Sequence, residues 1–269
     1  MTVPFRLSLS LLGWALNEED NIADYIERAE EFLRTVTDDF ELVLIDDGST
    51  DHTWLIASHL QAMRPWLKLV KNERNRGVGF NYARAIQTAS KQYFMVQTVD
   101  WAYDIAELGR SMQLLQQFDV LQGVRPGKVT WREIRQRSDS PTKALISLVN
   151  YTLIRALFRA PFSDFQNVTV CPTRLAQAIE IEGSSSFVNP EVMLKVYWQG
   201  ASFKEIAVPF RKRARGTATG TRWRSILRSV RDIWTCWFRW IVMGRWRRRP
   251  GRVERLSEGR RPEAGQLTT

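Results

Sequence analysis

The segment VLIDDGSTD, residues 43–51, decides the fold of this chain of 269 residues. Three apolar residues lead into two adjacent carboxylates, Asp46 and Asp47, and then into a glycine and residues that can cap a helix. This order predicts a buried strand, a tight turn and the start of a helix. Turn and cap chemistry accounts for the glycine and the hydroxyl residues, but not for a pair of acids at the end of an apolar strand. Such a pair is costly to desolvate unless a ligand or a metal ion binds it.

Apolar strands and amphipathic helices alternate on both sides of this segment. The pattern predicts strands at residues 7–12, 41–45, 67–71 and 93–98, with helices at 22–35, 53–63 and 79–90. Such alternation is typical of a parallel sheet covered by helices on both faces. Ligands of these sheets bind beyond the carboxyl ends of the strands, so the polar clusters at residues 17–19, 46–49 and 98–100 define a candidate site.

Three motifs at these strand ends resemble those of family-2 glycosyltransferases. The family's Asp-Asp-Gly-Ser element is matched by DDGSTD at 46–51. Its Asn-Glu-Glu element is matched by ALNEEDNI at 15–22, and its glycine loop by NRGVGFNYA at 75–83. The resemblance runs from about Leu7 to Gly220 and is greatest to the dolichyl-phosphate mannosyltransferase-like and polyprenyl-phosphate glycosyltransferase branch. It implies a GT-A type α/β fold: a Rossmann-like, mixed and mainly parallel sheet flanked by helices.

The resemblance also implies a nucleotide-sugar donor. In that branch a carboxylate after the second strand contacts the base, which assigns the contact to Asp46 or Asp47. It places Asn17, Glu18 and Gly77 beside the donor as well.

The family's Asp-x-Asp metal motif aligns with residues 98–100, where Thr98 replaces the first Asp. Ala102 stands where the family usually has glutamine. Because divalent cations prefer carboxylate oxygens, we expect Asp100 to be the metal ligand and a catalytic residue, with Mg²⁺ or Mn²⁺ as cofactor and Thr98 beside the donor. These two replacements leave open a weakened, nucleotide-sugar-binding paralogue.

Further positions matching the branch imply a phosphate-bearing acceptor. Guanidinium groups match phosphate oxygens. For Arg125 and Arg137 the alternative is that they belong to a solvated charged loop. For Asp164 and Glu191 the alternative, equally open, is a role as helix caps. The resemblance assigns acceptor binding to Arg125, Arg137, Ser140 and Glu191, a catalytic role to Asp164, and clamping of the donor diphosphate to Arg213.

These roles predict an inverting transfer of a sugar to a polyprenyl phosphate. The acceptor oxygen is already anionic near neutral pH, so positioning and charge stabilisation replace a strong general base. The alternative within the family is a saccharide or other non-lipid acceptor, for which Asp164 or Glu191 would have to act as the base.

The positive charge of the chain is concentrated near its C-terminus. Residues 211–255 carry 15 Lys or Arg against two acids, a formal +13, which leaves −3 for the rest of a chain whose total is +10. A nucleic-acid-binding domain spreads its basic residues over a folded face, so we expect an anionic membrane surface as the partner and no nucleic acid.

Residues 224–242 predict a membrane-surface amphipathic helix. Arginines at 224, 228, 231 and 239 form one stripe, opposite an apolar stripe of Ile226, Val230, Ile233, Trp234, Trp237, Trp240 and Ile241. The alternative is that the apolar stripe packs on the catalytic domain or on a partner subunit. The expected organisation is a catalytic domain at 1–220, this helix within 221–249 and a disordered tail at 250–269.

Three further features bear on location. Residues 7–16 resemble a signal-peptide core but lack a cleavage site, so a buried strand is the better interpretation. No apolar run approaches the ~20 residues that span a bilayer. Cys171 and Cys236 have no partners at metal-ligand spacing and are expected to be reduced and structural. We therefore expect a peripheral protein on the cytoplasmic side of a membrane, with a homo-oligomer or a membrane partner protein left open.

Overall fold

The computed structural model describes residues 6–125, 141–165, 168–208, 223–246 and 249–255. The strands in these ranges are β1 (Ser8–Ala15), β2 (Asp39–Asp46), β3 (Leu67–Lys71), β4 (Tyr93–Val96), β5 (Val120–Val124), β6 (Thr169–Pro172), β7 (Phe203–Ala207) and β8 (Val253–Glu254). They form one sheet in the order β3-β2-β1-β4-β6-β5-β7-β8. Neighbouring strands are parallel except at β6, which runs antiparallel to both β4 and β5. The predicted mixed, mainly parallel sheet is confirmed.

Helices connect the strands and cover the sheet. They are α1 (Ile22–Val36), α2 (Thr53–Gln61), α3 (Val78–Thr88), α4 (Ala106–Arg110), α5 (Pro141–Phe158), α6 (Thr173–Gln177), α7 (Val188–Trp198) and α8 (Trp223–Trp237). A 3₁₀ turn at Met112–Gln116 precedes β5, and α8 continues into a π-helical turn at Phe238–Val242. The elements predicted before residue 100 lie within three residues of these bounds.

The sheet separates two apolar cores because successive side chains of a strand point to opposite faces. In β2, Leu42 and Leu44 pack into the core on one face, while Val43 and Ile45 pack into the core on the other. All four are buried, as expected for a strand covered on both sides. The unbroken apolar run before Asp46 is therefore the direct consequence of a central position in the sheet.

The C-terminal helix packs on the core that also contains α3, α5 and α7. Ile233, Cys236 and Trp240 are buried in that core. The ring centroid of Trp240 lies 5.5 Å from that of Phe158, and its indole N–H donates to a Glu182 carboxylate oxygen at 2.6 Å. Two members of the predicted lipid-facing stripe, Ile233 and Trp240, are thus core residues, because their side chains fill space beside α5 that would otherwise be a cavity.

The last described residues extend the sheet. Val253 and Glu254 form β8, which pairs in parallel with Phe203 and Lys204 of β7. This strand lies inside the segment for which the composition predicts disorder; residues 256–269 lie outside the described part of the chain. Backbone hydrogen bonding to an existing sheet edge explains how a polar segment becomes ordered.

In the part of the chain that the structure describes, every helix is too short or too polar to cross a bilayer.

Truncating the buried tryptophan of the C-terminal helix should destabilise the fold. We expect Trp240→Ala to lower the free energy of unfolding by about 3–5 kcal/mol, because it opens a cavity among aromatic rings and removes one of the hydrogen bonds to Glu182. Trp234→Ala is the matched control, since Trp234 is 47% exposed on the same helix and should change stability by about 0.5 kcal/mol or less. Urea unfolding followed by circular dichroism measures both, and equal losses would contradict the packing described here.

Candidate active site

Parallel strands bring four loops to one edge of the sheet. The carboxyl ends of β1, β2, β3 and β4 lie side by side, with Ala15 paired to Asp46 and Asp46 paired to Lys71. Strand β6 is antiparallel to β4 and to β5, so the carboxyl end of β5 lies at this edge too. The residues that follow these strands are the chemically functional ones predicted from the sequence.

The two acids at the carboxyl end of β2 have different partners. The Asp46 carboxylate accepts one bond, from the Ser49 backbone N–H to Oδ1 at 3.1 Å. Its other oxygen, Oδ2, is buried and has no hydrogen-bond partner among the described residues. Asp47 accepts three bonds at 2.7–3.1 Å, from the Asn72 side-chain amide and from the backbone N–H groups of Arg76 and Gly77. Among the described residues, Asp46 therefore keeps a buried oxygen that accepts no bond, whereas both oxygens of Asp47 already accept bonds from the protein.

Asp47 fixes the glycine loop that precedes α3. Gly77 has a φ of +83°, a backbone conformation that residues other than glycine rarely adopt. Its N–H donates to the Asp47 carboxylate. Two residues later, Gly79 packs so closely on the backbone of Gly183 that a Cβ atom would lie 2.3 Å from the Gly183 carbonyl oxygen. The loop is therefore held from both sides.

The loop after β1 is locked to the loop after β2. Asn17, with a φ of +55°, accepts the Thr50 backbone N–H on its side-chain oxygen at 2.9 Å, and its own N–H donates to the Ser49 hydroxyl. The Glu18 N–H donates to the Thr53 hydroxyl at 2.8 Å, while its carboxylate accepts from the side chain of Asn21. The structure thus brings Asn17 and Glu18 next to the acids of β2, and both also build the loop.

The Glu19 carboxylate accepts from the backbone N–H of His52 and contacts the His52 ring at 2.8 Å. These bonds lower the pKa of the Glu19 carboxyl, chiefly through the backbone N–H. The contact joins the same two loops at the surface.

Thr98 and Asp100 follow β4 in a closed turn. The Trp101 N–H donates to the Thr98 carbonyl at 2.9 Å, and Trp101 itself has a φ of +50°. The buried Gln97 closes the loop by donating to the Tyr103 carbonyl at 2.9 Å. Because β1 alone separates β4 from β2, this turn and Asp46 lie about 10 Å apart, judged from the spacing between strands.

Arg125, directly after β5, forms a bidentate ion pair with Asp164. Its Nε and Nη2 lie 2.7 and 2.8 Å from the two carboxylate oxygens, and its backbone N–H also reaches Asp164. Burial alone would lower the pKa of Arg125, but the neighbouring Asp164 carboxylate outweighs it and raises that pKa above its usual value. The predicted acceptor residue and the predicted catalytic acid are therefore one rigid unit at the same edge of the sheet.

Glu191 has a different set of partners from the one expected. It has no exposed surface, and its carboxylate accepts the backbone N–H groups of Glu182 and Gly183 at 2.8 and 2.7 Å and the Lys195 ammonium at 2.8 Å. Burial raises the pKa of the Glu191 carboxyl, against the opposing effect of Lys195. Two of these bonds hold the loop after α6 and the third joins Glu191 to Lys195 on its own helix, so the described contacts of Glu191 are those of a buried anchor.

Three predicted residues fall outside the described part of the chain. Arg137 and Ser140 belong to the segment after Arg125, and Arg213 belongs to the segment that follows β7. Strand β7 is parallel to β5, so the chain leaves it at the same edge.

Sequence reasoning missed two residues that shape this edge. Asn72, buried at the end of β3, donates to Asp47 and to Asn81 and accepts from Arg84. Gln97 also accepts the Tyr25 hydroxyl on its carbonyl oxygen. Both directly follow a strand of the parallel sheet, so the rule that identified Asp46 would have identified them.

A family model described as "Glycosyl transferase family 2" matches residues 14–176. The chain belongs to this family. The match spans β1 to α6 and includes the loops that carry Asp46, Asp47, Gly77 and Asp100. The chain is accordingly a glycosyltransferase, as its motifs predicted.

A curated relative and two solved structures agree with this assignment. A dolichol-phosphate mannosyltransferase of Pyrococcus furiosus is 22% identical over 234 residues, covering 85% of this chain and 63% of its own length. Glucosyl-3-phosphoglycerate synthase from Mycobacterium tuberculosis, in complex with Mn²⁺ and UDP, has a TM-score of 0.59 at 13% identity, covering 85% of this chain and 79% of its own. The mannosyltransferase PcManGT from Pyrobaculum calidifontis, with GDP-Man and Mn²⁺, has a TM-score of 0.56 at 15% identity, covering 88% of this chain and 65% of its own. The structural likeness confirms the GT-A fold.

The two adjacent acids of this glycosyltransferase should respond differently to neutralisation. We expect Asp47→Asn to lower the free energy of unfolding by about 1–3 kcal/mol, because an amide nitrogen then faces backbone donors that need an acceptor. Asp46→Asn should leave the free energy of unfolding unchanged, since the Asp46 oxygen Oδ2 has no hydrogen bond from the described residues. Chemical denaturation of both variants measures the difference, and the assignment of partners is wrong if Asp46→Asn is the more destabilised.

Proposed function

We propose that this chain moves a sugar, with inversion at the anomeric carbon, from a nucleotide sugar to a polyprenyl phosphate, bound peripherally at the cytoplasmic face of a membrane. The observation that carries the donor side is the buried oxygen Oδ2 of Asp46, which has no hydrogen-bond partner among the described residues and lies at the edge where ligands of parallel sheets bind. A buried anion of this kind costs several kcal/mol unless a ligand donates to it.

The donor base supplies the missing partner of Asp46. Uracil and guanine both carry ring N–H groups, and a carboxylate oxygen is the acceptor that suits them. Both oxygens of Asp47 already accept bonds from the protein, so its part is to hold the backbone of Arg76 and Gly77 beside the donor. Asn17 and Glu18 complete the donor side as members of the interlocked loops.

The chemistry of residues 98–100 suits a cation that arrives with the nucleotide. Among the described residues no three His, Cys, Asp or Glu side chains cluster into a metal site by themselves. Mg²⁺ in nucleotide enzymes is commonly held by one or two carboxylates together with substrate phosphates, and Asp100 with the Thr98 hydroxyl suits that pattern. When bound, Mg²⁺ or Mn²⁺ neutralises charge on the departing diphosphate. The Mn²⁺ in the two solved structures supports this cofactor.

A phosphate acceptor fits the arginine on the other side of the edge. Arg125 is held by Asp164 through two of its nitrogens, which leaves Nη1 for an acceptor oxygen. The phosphate oxygen attacks the anomeric carbon, the bond to the nucleoside diphosphate breaks, and no proton has to move because that oxygen is already anionic. Arg137, Ser140 and Arg213 remain proposed ligands of the acceptor phosphate and the donor diphosphate.

The likeness to a dolichol-phosphate mannosyltransferase supports this lipid acceptor, and the chain spans 63% of that relative's length. A saccharide acceptor would need a general base, and the two acids available for it are occupied. Asp164 is paired with Arg125, and Glu191 is buried against Lys195.

Labelled donors test the proposal directly. Purified protein with a panel of labelled nucleotide sugars, Mn²⁺ and a short polyprenyl phosphate should yield label that is extractable into organic solvent. Label that stays in the aqueous phase as a new saccharide would favour the non-lipid acceptor. Donor binding without any turnover would contradict catalysis and indicate a binding paralogue.

Replacing the nucleotide-facing carboxylate should weaken donor binding without unfolding the chain. In Asp46→Asn the side-chain oxygen stays on the Ser49 N–H, so an NH₂ group faces the base and repels its N–H donor. We expect affinity for UDP or GDP with Mn²⁺ to fall at least tenfold, or about 1.4 kcal/mol, by calorimetry. Asp38→Asn is the matched control because Asp38 is exposed just before the other end of β2. Unchanged affinity in Asp46→Asn would exclude the base contact.

A further inference from the structure

The C-terminal helix α8 and its π-helical turn have a buried side and an exposed side. On the buried side, Asp232 accepts the backbone N–H groups of Ser184 and Ser185 at 2.9 and 3.0 Å, while Ile233 and Trp240 enter the core. The helix is therefore attached through polar and apolar contacts. Its opposite side is exposed in the part of the chain that the structure describes.

Large apolar side chains line the exposed side. Leu227, Trp234, Phe238 and Val242 follow one another at intervals of seven, four and four residues, which places them on one stripe of a helix, and Met243 adjoins them. Each is between 47% and 55% exposed. Scattered apolar residues on a surface are ordinary, but five on one side of one helix are a contiguous patch.

Arginines surround this patch, and acids are absent from it. Arg228, Arg231, Arg239 and Arg245 are all exposed. The one acid between residues 226 and 246 is Asp232, which is buried and bonded to the 184–185 backbone. The exposed side is therefore apolar with a cationic border, in which Arg231 lies 3.6 Å from Asp232 and Arg239 pairs with Glu182 at 3.0 Å.

We propose that the side of α8 formed by Leu227, Trp234, Phe238, Val242 and Met243 docks on an anionic lipid bilayer. A helix in the headgroup layer needs apolar side chains that reach the acyl boundary and cations that meet the lipid phosphates, and this side offers both. The proposal deepens the proposed function by naming the surface that meets the lipid phase of the acceptor, and it rests on that function only for the acceptor.

Charge argues against the two other occupants. In a twofold dimer the same patch would face itself, so arginines would meet arginines with no acid to pair them. A nucleic acid would need a cationic track beyond one helix, and residues outside 211–255 carry a net −3.

The docking side differs from the one that periodicity predicts. Of the predicted apolar stripe, Ile233 and Trp240 are buried in the core, and Trp234 is the one large exposed member. Leu227, Phe238 and Val242 take the place of the buried ones. The helix is anchored through Asp232, Ile233 and Trp240 and presents a different set of apolar side chains to the outside.

The anchor also joins the docking helix to the donor loop. Asp232 holds Ser184 and Ser185, and the neighbouring Gly183 packs directly on Gly79 at the start of α3. A bilayer bound to the outer side of α8 is therefore separated from the Gly77 loop by only these packed segments.

Vesicle binding by the full chain tests the docking surface without any nucleotide. We expect the wild type to float with phosphatidylcholine vesicles that contain phosphatidylglycerol, and far less with phosphatidylcholine alone. Trp234→Ser/Phe238→Ser/Val242→Ser should reduce the partition coefficient at least tenfold. Arg228→Gln/Arg231→Gln/Arg245→Gln should remove the preference for the anionic lipid. Each arginine should contribute about fivefold to the partition coefficient on anionic vesicles. Arg239 stays in place because it also pairs with Glu182.

The control is Leu55→Ser/Met63→Ser, which removes two apolar side chains, each 64% exposed, one on α2 and one in the turn that follows it. It should bind vesicles as the wild type does, and all variants should keep the wild-type unfolding transition. Wild-type binding by the triple serine variant would overturn the proposal. The proposal would also be overturned if the wild type did not bind vesicles but was a dimer by light scattering, and the triple serine variant was a monomer. A chain that binds vesicles but transfers no sugar would refute the proposed function and leave the docking surface intact.

Discussion

The parallel arrangement of β2, β1 and β4 is the constraint on which the rest of this glycosyltransferase depends. Parallel strands end at one edge, so loops that are 30 to 50 residues apart in sequence become neighbours. The loop that carries Asn17 is hydrogen-bonded to the loop that carries Thr50, and the turn at Asp100 lies one strand farther along. Covering helices on both faces keep this edge as the place where polar groups can meet a ligand.

Buried carboxylates take different parts according to their partners. Asp47 and Glu191 each accept two backbone N–H groups and so fix a loop. Asp164 orients a guanidinium group. Asp46 keeps an oxygen without a partner among the described residues, and that difference separates a ligand-binding acid from a structural one. Asp46 and Asp47 are adjacent residues of the same type at the end of β2, but their hydrogen bonds differ.

The C-terminal helix unites the catalytic body with a cationic surface. Its inner side is held by Asp232 and Trp240, whose partners lie in the segment between α6 and α7. Because that segment also packs on Gly79, the helix is structurally continuous with the glycine loop. A helix of this kind belongs to the same packed body as the sheet, although its composition differs from that of the residues before it.

The sequence by itself determined the fold class, the order of the first strands and helices, the family, and the edge at which the acids lie. These follow from local patterns: hydrophobic periodicity reports burial, and a polar cluster after a buried strand reports a strand end. Only the tertiary structure decided which of Asp46 and Asp47 keeps a vacant oxygen, that Glu191 is an internal anchor, that Asp164 pairs with Arg125, and which aromatic residues of α8 are buried. Those outcomes depend on contacts between segments far apart in the chain, and a helical periodicity cannot tell an apolar side chain that fills a core from one that remains exposed.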